Sequence, residues 1–92
     1  MPYIKKYQRE PYEEIIEHLI HLLEGDATIG SNIPVGQINY VFSKILWKLW
    51  DNNPSYIAGN SIVGVLECIK QEFLRRKLND HENNKIVENG DI

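Results

Sequence analysis

The amino-acid sequence predicts an all-α protein, and three observations carry that prediction. Apolar residues recur at the i, i+3, i+4, i+7 spacing of a helix face in three separate segments, strong turn signals divide those segments, and no stretch alternates long enough to build a sheet. The expected architecture is a small three-helix domain occupying residues 1–92, with helices at about 10–24, 34–51 and 55–79 and an extended C-terminal tail over 80–92, assembling as a homo-oligomer.

The first helix is expected to begin near Pro11, whose missing N–H is harmless in a first turn, with Glu13 and Glu14 placed to favour the helix dipole. Its core stripe reads Tyr12, Ile15, Ile16, Leu19, Ile20, Leu22 and Leu23. Gly25 suits the left-handed conformation that ends a helix, and Asp26 to Asn32 carries turn residues without a sustained period, which predicts a mobile loop. The second helix starts after Asn32 or near Pro34 and runs to about Trp50, where Asp51, Asn52, Asn53 and Pro54 form a stop. Ile38, Val41, Phe42, Ile45, Leu46 and Leu49 make its buried face, and Tyr40, Trp47 and Trp50 form an aromatic stripe to one side of it.

Ser55 is the expected cap of the third helix, whose buried side is Ile57, Ile62, Val65, Leu66, Ile69, Phe73 and Leu78. Gly59 and Gly64 lie inside this helix, each costing about 1 kcal/mol relative to alanine. Close approach of a neighbouring helix at Gly64 is the expected reason. From Asn79 the polar run NDHENN breaks the pattern, and the ending KIVENGDI, with Ile86, Val87 and Ile92, reads as an arm that docks in extended form, on a neighbouring subunit or on its own.

The second helix has too much apolar surface for one small core. A chain of 92 residues implies one domain, and a domain of this size buries only roughly 60–65% of the surface its unfolded chain exposes. Self-association is the simplest way to cover a helix that is apolar around most of its circumference. A hydrophobic fraction of 42% and a charged fraction of 25% are those of a folded protein rather than a disordered one. No apolar run approaches the ~20 residues of a membrane span, and the start MPYIKKYQRE lacks the apolar core of a signal peptide. A cytoplasmic location is the default expectation. The single Cys68, in the apolar phrase VGVLECIK, is expected to be a small buried hydrophobe.

Few catalytic arrangements are compatible with these residues. His18 and His21 share a helix face at i, i+3, but a zinc site needs three or four ligands and His81 is remote. The helical carboxylates Glu13, Glu14, Glu17, Glu67 and Glu72 have no oriented base, nucleophile or metal beside them in sequence. Ser43, Ser55 and Ser61 lack a nucleophile-elbow context, and no P-loop or GxGxxG phrase occurs. The expectation is a protein that is not an enzyme, with no cofactor and no metal.

Binding is the alternative. With 13 acidic against 10 basic side chains the net charge is −3, which argues against a general duplex nucleic-acid binder. Locally the balance reverses, since Lys70, Arg75, Arg76 and Lys77 cluster near the end of the third helix. Guanidinium groups form planar, bidentate contacts with phosphate, and an aromatic stripe supplies faces on which a base stacks. The ordinary reading competes with this one, because basic residues in the last turns of a helix complement its dipole and point into solvent. Gln37, Asn39 and Tyr40 lie near the start of the second helix, where free backbone N–H groups favour an anion. The candidate ligand-binding set is therefore Arg75, Arg76, Lys70, Tyr40, Asn39, Trp47 and Trp50.

Four phrases, the opening MPYI, GQINYVFSKIL, IVGVLECIKQEFLRR and the ending KIVENGDI, together resemble a family of short uncharacterised proteins common in phages and prophages. That family shows a GDLNY-like phrase, an IGVLE..K.EF.RR phrase and a KI.ENGD-like end, and the likeness spans nearly the whole chain. Gln37 stands where the pattern usually has Asp, and Leu74 where it often has Tyr. The resemblance implies phage ancestry and a domain of unknown function rather than a defined chemistry. Small phage proteins of this kind are often inhibitors or sequestering proteins aimed at host defence, so it also implies a homo-oligomer that sequesters a phosphorylated signal such as a cyclic nucleotide. The competing expectation is an adaptor that docks a host or phage protein through the aromatic stripe.

Overall fold

The computed structural model describes residues 3–26 and 33–90, and every element among them is helical. The chain divides into two units, Met1–Asn53 and Pro54–Ile92.

The first unit is a pair of helices, α1 (Lys6–Asp26) and α2 (Val35–Asn52). Helix α1 starts more than a turn before the expected Pro11, and local hydrogen bonds explain the difference. The Gln8 N–H donates to the Lys5 carbonyl at 2.9 Å, while the Lys5 N–H donates to the Gln8 side-chain oxygen at 2.9 Å, half of a capping box. Arg9 adds donations from Nε and Nη2 to the Ile4 carbonyl, each at 3.3 Å. Pro11 therefore sits inside the helix. It leaves the Tyr7 carbonyl without its helical donor, which is tolerable because Tyr7 is 73% exposed and solvent can reach it. Glu13 and Glu14 consequently lie beyond the first turn. Nor does Gly25 end the helix in a left-handed conformation, since it stays within α1 and the one described residue with positive φ is Gly90. The expected loop lies, apart from Asp26, outside the described residues.

Helix α2 keeps close to its expected bounds. The Pro34 carbonyl accepts from the Ile38 N–H at 3.0 Å, and the Asn53 N–H donates to the Trp50 carbonyl at 3.1 Å. Asn53 precedes Pro54, whose ring disfavours helical geometry in the residue before it, and Asn53 has left the helix with φ −156° and ψ 72°.

The second unit is one continuous helical rod. Ser55 caps α3 (Tyr56–Phe73) as expected, with extended backbone and its Oγ accepting from the Ala58 N–H at 3.0 Å. The helix widens into a π-helical segment (Leu74–Leu78) and continues as α4 (Asn79–Asn89). The expected extended tail is thus helical. Extending an existing helix avoids the cost of a new nucleus, Asp80 and Glu82 fall in the first turn of α4, and Lys85 pairs with Glu88 at 3.1 Å. The stop comes at Gly90, whose φ of 82° favours glycine and whose N–H donates to the Ile86 carbonyl at 2.8 Å.

The π segment changes which residues share a face. In an unbroken α-helix Leu78 would stand roughly 140° around the axis from Phe73. One extra residue in the turn sets it back by about 100° and brings it near the Phe73 side. The rod thus carries Ile62, Leu66, Ile69, Phe73 and Leu78 along one side.

None of the described side chains is buried. Cys68, expected inside, is exposed. A Cβ built at Gly64 meets nothing within 4 Å, so no helix of its own unit makes the close approach expected there. Gly64→Ala should therefore stabilise the helix by about 0.5–1 kcal/mol, read as a higher midpoint in thermal melts followed by circular dichroism. A lower midpoint would show that another helix does press on this position.

Candidate binding surface

Ile38, Val41 and Leu46 of the apolar stripe are half-buried in α2, as Leu19 and Leu23 are in α1. Leu19, Leu22 and Leu23 face Gly36, Gln37, Tyr40 and Val41 across an open cleft of about 450 Å³. Residues two apart on a helix point in nearly opposite directions, ~200° apart, so Tyr40 and Trp47 stand opposite Ile38 and Ile45. Those two rings stand behind the apolar face, whereas Trp50, ~40° from Leu46, stands beside it. Phe42, Ile45 and Leu49 of the same stripe are exposed at 49%, 47% and 59%. A Cβ built at Gly36 meets nothing within 4 Å, so the cleft is open at that position.

Within the first unit the four candidate residues do not close a polar pocket. Tyr40 alone lines the cleft. Its ring also lies under the Lys44 ammonium, 5.8 Å from the ring centroid, a cation–π arrangement that a stacking base would have to displace. The Asn39 Oδ1 accepts from the Ser43 hydroxyl at 2.9 Å, so part of its hydrogen-bonding capacity is spent within the helix. Trp47 and Trp50 are 67% and 40% exposed.

In the second unit Arg75 and Arg76 do converge, on a carboxylate. The Arg75 Nη2 donates to the Glu72 Oε2 at 2.8 Å and to Oε1 at 3.1 Å, and the Arg76 Nε reaches the same Oε2 at 2.8 Å. Glu72 is the least exposed member, its side chain 24% accessible against 64% and 52% for the arginines. Lys70 is turned to Glu67 instead, with 3.8 Å between Nζ and Oε1, and the Gln71 amide donates to that oxygen at 2.9 Å. The sequence places Glu67 and Glu72 among helical carboxylates with no oriented base, nucleophile or metal to accompany them, and does not by itself name their partners. The signal that pairs them was present, since Glu72 stands three and four residues before the arginines and Glu67 three before Lys70.

A family model described as a domain of unknown function (DUF6899) matches residues 1–92. The chain belongs to this family. Membership in DUF6899 agrees with the resemblance to an uncharacterised family over the length of the chain and carries no activity with it. No curated protein and no solved structure matches the chain. Among the described residues no group of three or more His, Cys, Asp or Glu side chains is placed to hold a metal ion, and no helix is long and apolar enough to cross a membrane.

The clamp on Glu72 has a measurable consequence. Glu72→Gln removes the charge while keeping one acceptor oxygen, and should lower the thermal midpoint by a few degrees at low salt, since partly exposed ion pairs contribute about 0.2–1 kcal/mol. The difference should shrink in ~1 M salt, where the screening length falls to about 3 Å. An equal loss at both ionic strengths would mean that Glu72 acts through packing instead.

Proposed function

We propose that this protein is a non-enzymatic binding protein that works as a homo-oligomer and docks a partner protein through the ring-bearing side of α2. The observation that carries this reading is the exposure of Trp47 and Tyr40, 67% and 64%, on a helix whose opposite side is also apolar. Solvent-facing tryptophan and tyrosine are the side chains most often found as anchors where one protein meets another, because they offer large, rigid contact area at low entropic cost. Of the two expectations, adaptor and nucleotide binder, exposure favours the adaptor. Each polar group expected to hold a nucleotide has another contact within its own helix: Lys44 over Tyr40, Ser43 on Asn39, Glu72 on both arginines and Glu67 on Lys70.

Fluorescence quenching tests the docking surface directly. The variants Trp47→Phe and Trp50→Phe each leave one tryptophan, and both emissions should be quenched by acrylamide in the native protein, Trp47 more readily than Trp50. Rings shielded from the quencher in the native assembly would remove the surface that this function needs.

A second reading rests on a different observation, the run Arg75, Arg76 and Lys77 within the π segment. In it a phosphorylated ligand such as a cyclic nucleotide takes the place of the Glu72 carboxylate between the two guanidiniums, which bind phosphate with the same fork geometry. Thermal-shift screening of cyclic di- and oligonucleotides should then give a midpoint rise that is larger in Glu72→Gln than in the unaltered chain. No shift in either protein at high micromolar ligand would exclude this reading and leave the docking surface untouched.

A further inference from the structure

We infer that Asn89 is a site of spontaneous covalent modification, at which its side-chain amide closes onto the Gly90 backbone nitrogen, loses ammonia and leaves a carboxylate at the end of α4. The reactants are the chain itself and water, and the opening of the last helical turn sets the rate.

The choice of residue comes from the sequence. Ring closure brings the backbone nitrogen of the following residue onto the asparagine Cγ, and a side chain on that following residue hinders the approach. Of the asparagines in the chain only Asn89 is followed by glycine, which has none. Elsewhere the next residue is larger, as in Asn60–Ser61, Asn79–Asp80 and Asn84–Lys85, or it is Pro54 after Asn53, which has no N–H to lose. The surroundings are open too. A Cβ built at Gly90 meets nothing within 4 Å, so water and hydroxide reach the peptide without a barrier from the fold.

The helix holds the reaction back. The Gly90 N–H donates to the Ile86 carbonyl at 2.8 Å, the bond that closes the last turn of α4, and Asn89 is the last helical residue. A nitrogen engaged in that bond does not act as a nucleophile, and Asn89 has to rotate out of helical geometry before its Cγ comes into line. The turn must therefore open first. Little resists that opening, since Ile86 and Val87 are 44% and 84% exposed and the pair between Lys85 and Glu88 has side chains 55% and 62% accessible. Turns with few buried contacts are the ones that a native chain opens most readily.

Once the turn is open, the step balances without an added reagent. Hydroxide takes the Gly90 amide proton, the nitrogen attacks the Asn89 Cγ, and the side-chain nitrogen takes a proton from water and leaves as ammonia. The product is a five-membered succinimide. Water then opens that ring at either carbonyl, giving an aspartyl residue or its isoaspartyl isomer, whose main chain is longer by one carbon. Either form adds a negative charge in the last turn of a helix, where the dipole disfavours it, and Lys85 one turn earlier is already paired with Glu88. The modified turn opens more readily than the original.

Incubation of the full chain in heavy-oxygen water at mildly alkaline pH, followed by mass mapping of its peptides, tests the site and its control together. Label should enter at Asn89 before any other asparagine, with aspartyl and isoaspartyl forms both present, and more slowly in the native chain than in the chain unfolded by urea. Lys85→Ala removes the ion pair of the last turn and should raise the native rate by about twofold at most, leaving the unfolded rate unchanged. Label appearing first at another asparagine would overturn the site. Equal rates in the native and unfolded chains would overturn the control by the helical turn. A native chain that stays unlabelled while the unfolded one reacts would show that the turn does not open, and would overturn the proposal as a whole.

Discussion

Everything in this structure turns on uncovered apolar surface. A 92-residue chain that is 42% hydrophobic has the composition of a folded protein, yet none of the described side chains is buried. Hydrophobic burial is the main favourable term in folding, at roughly 25 cal/mol per Å² removed from water. It must offset a conformational entropy cost of about 1–2 kcal/mol per residue for the backbone alone. Local helix interactions do not meet that cost by themselves. Half a capping box at Lys5, a serine cap at Ser55 and a few exposed ion pairs contribute on the order of 1 kcal/mol or less each. The apolar faces of these helices therefore have to be covered by something, and the identity of the cover is the central question for both stability and function.

Much of the helical layout was legible in the sequence because its punctuation is local. Ser55 as a cap and Asn53–Pro54 as a stop act through the backbone within a few residues, so composition and position suffice to find them. Where the reading departed from the structure, longer-range or finer geometry decided. Pro11 is a strong start signal, but Gln8 and Arg9 closed the preceding turn first. The polar run after Asn79 broke the apolar period without breaking the helix, because polarity alone supplies no backbone reason to stop. That reason arrives only at Gly90.

The candidate site was less legible, and the physical cause is angular. Of the stripe Tyr40, Trp47 and Trp50, the first two stand behind the Ile38 and Ile45 face, whereas Trp50 borders it next to Leu46. That Leu19, Leu22 and Leu23 of α1 share a cleft with Tyr40 and Val41 is a tertiary fact no period encodes. The π segment is harder still. Nothing in LRRKL announces an extra residue in the turn, yet that residue sets back every later position and brings Leu78 near the Phe73 side.

The same segment bears on what the arginines can do. A run of Arg75, Arg76 and Lys77 reads in sequence either as a cationic cluster that attracts phosphate or as last-turn residues that complement the helix dipole and point into solvent. In the fold the first two are drawn onto Glu72, so the helix already holds an anion of its own at that place. Any external anion must do better than a carboxylate that is tethered three and four residues away and requires no loss of translational freedom. That comparison disfavours a small ligand bound by these two side chains alone. The cost falls on the ligand because displacing Glu72 would leave that carboxylate to be solvated elsewhere while the two guanidiniums only exchange one anion for another.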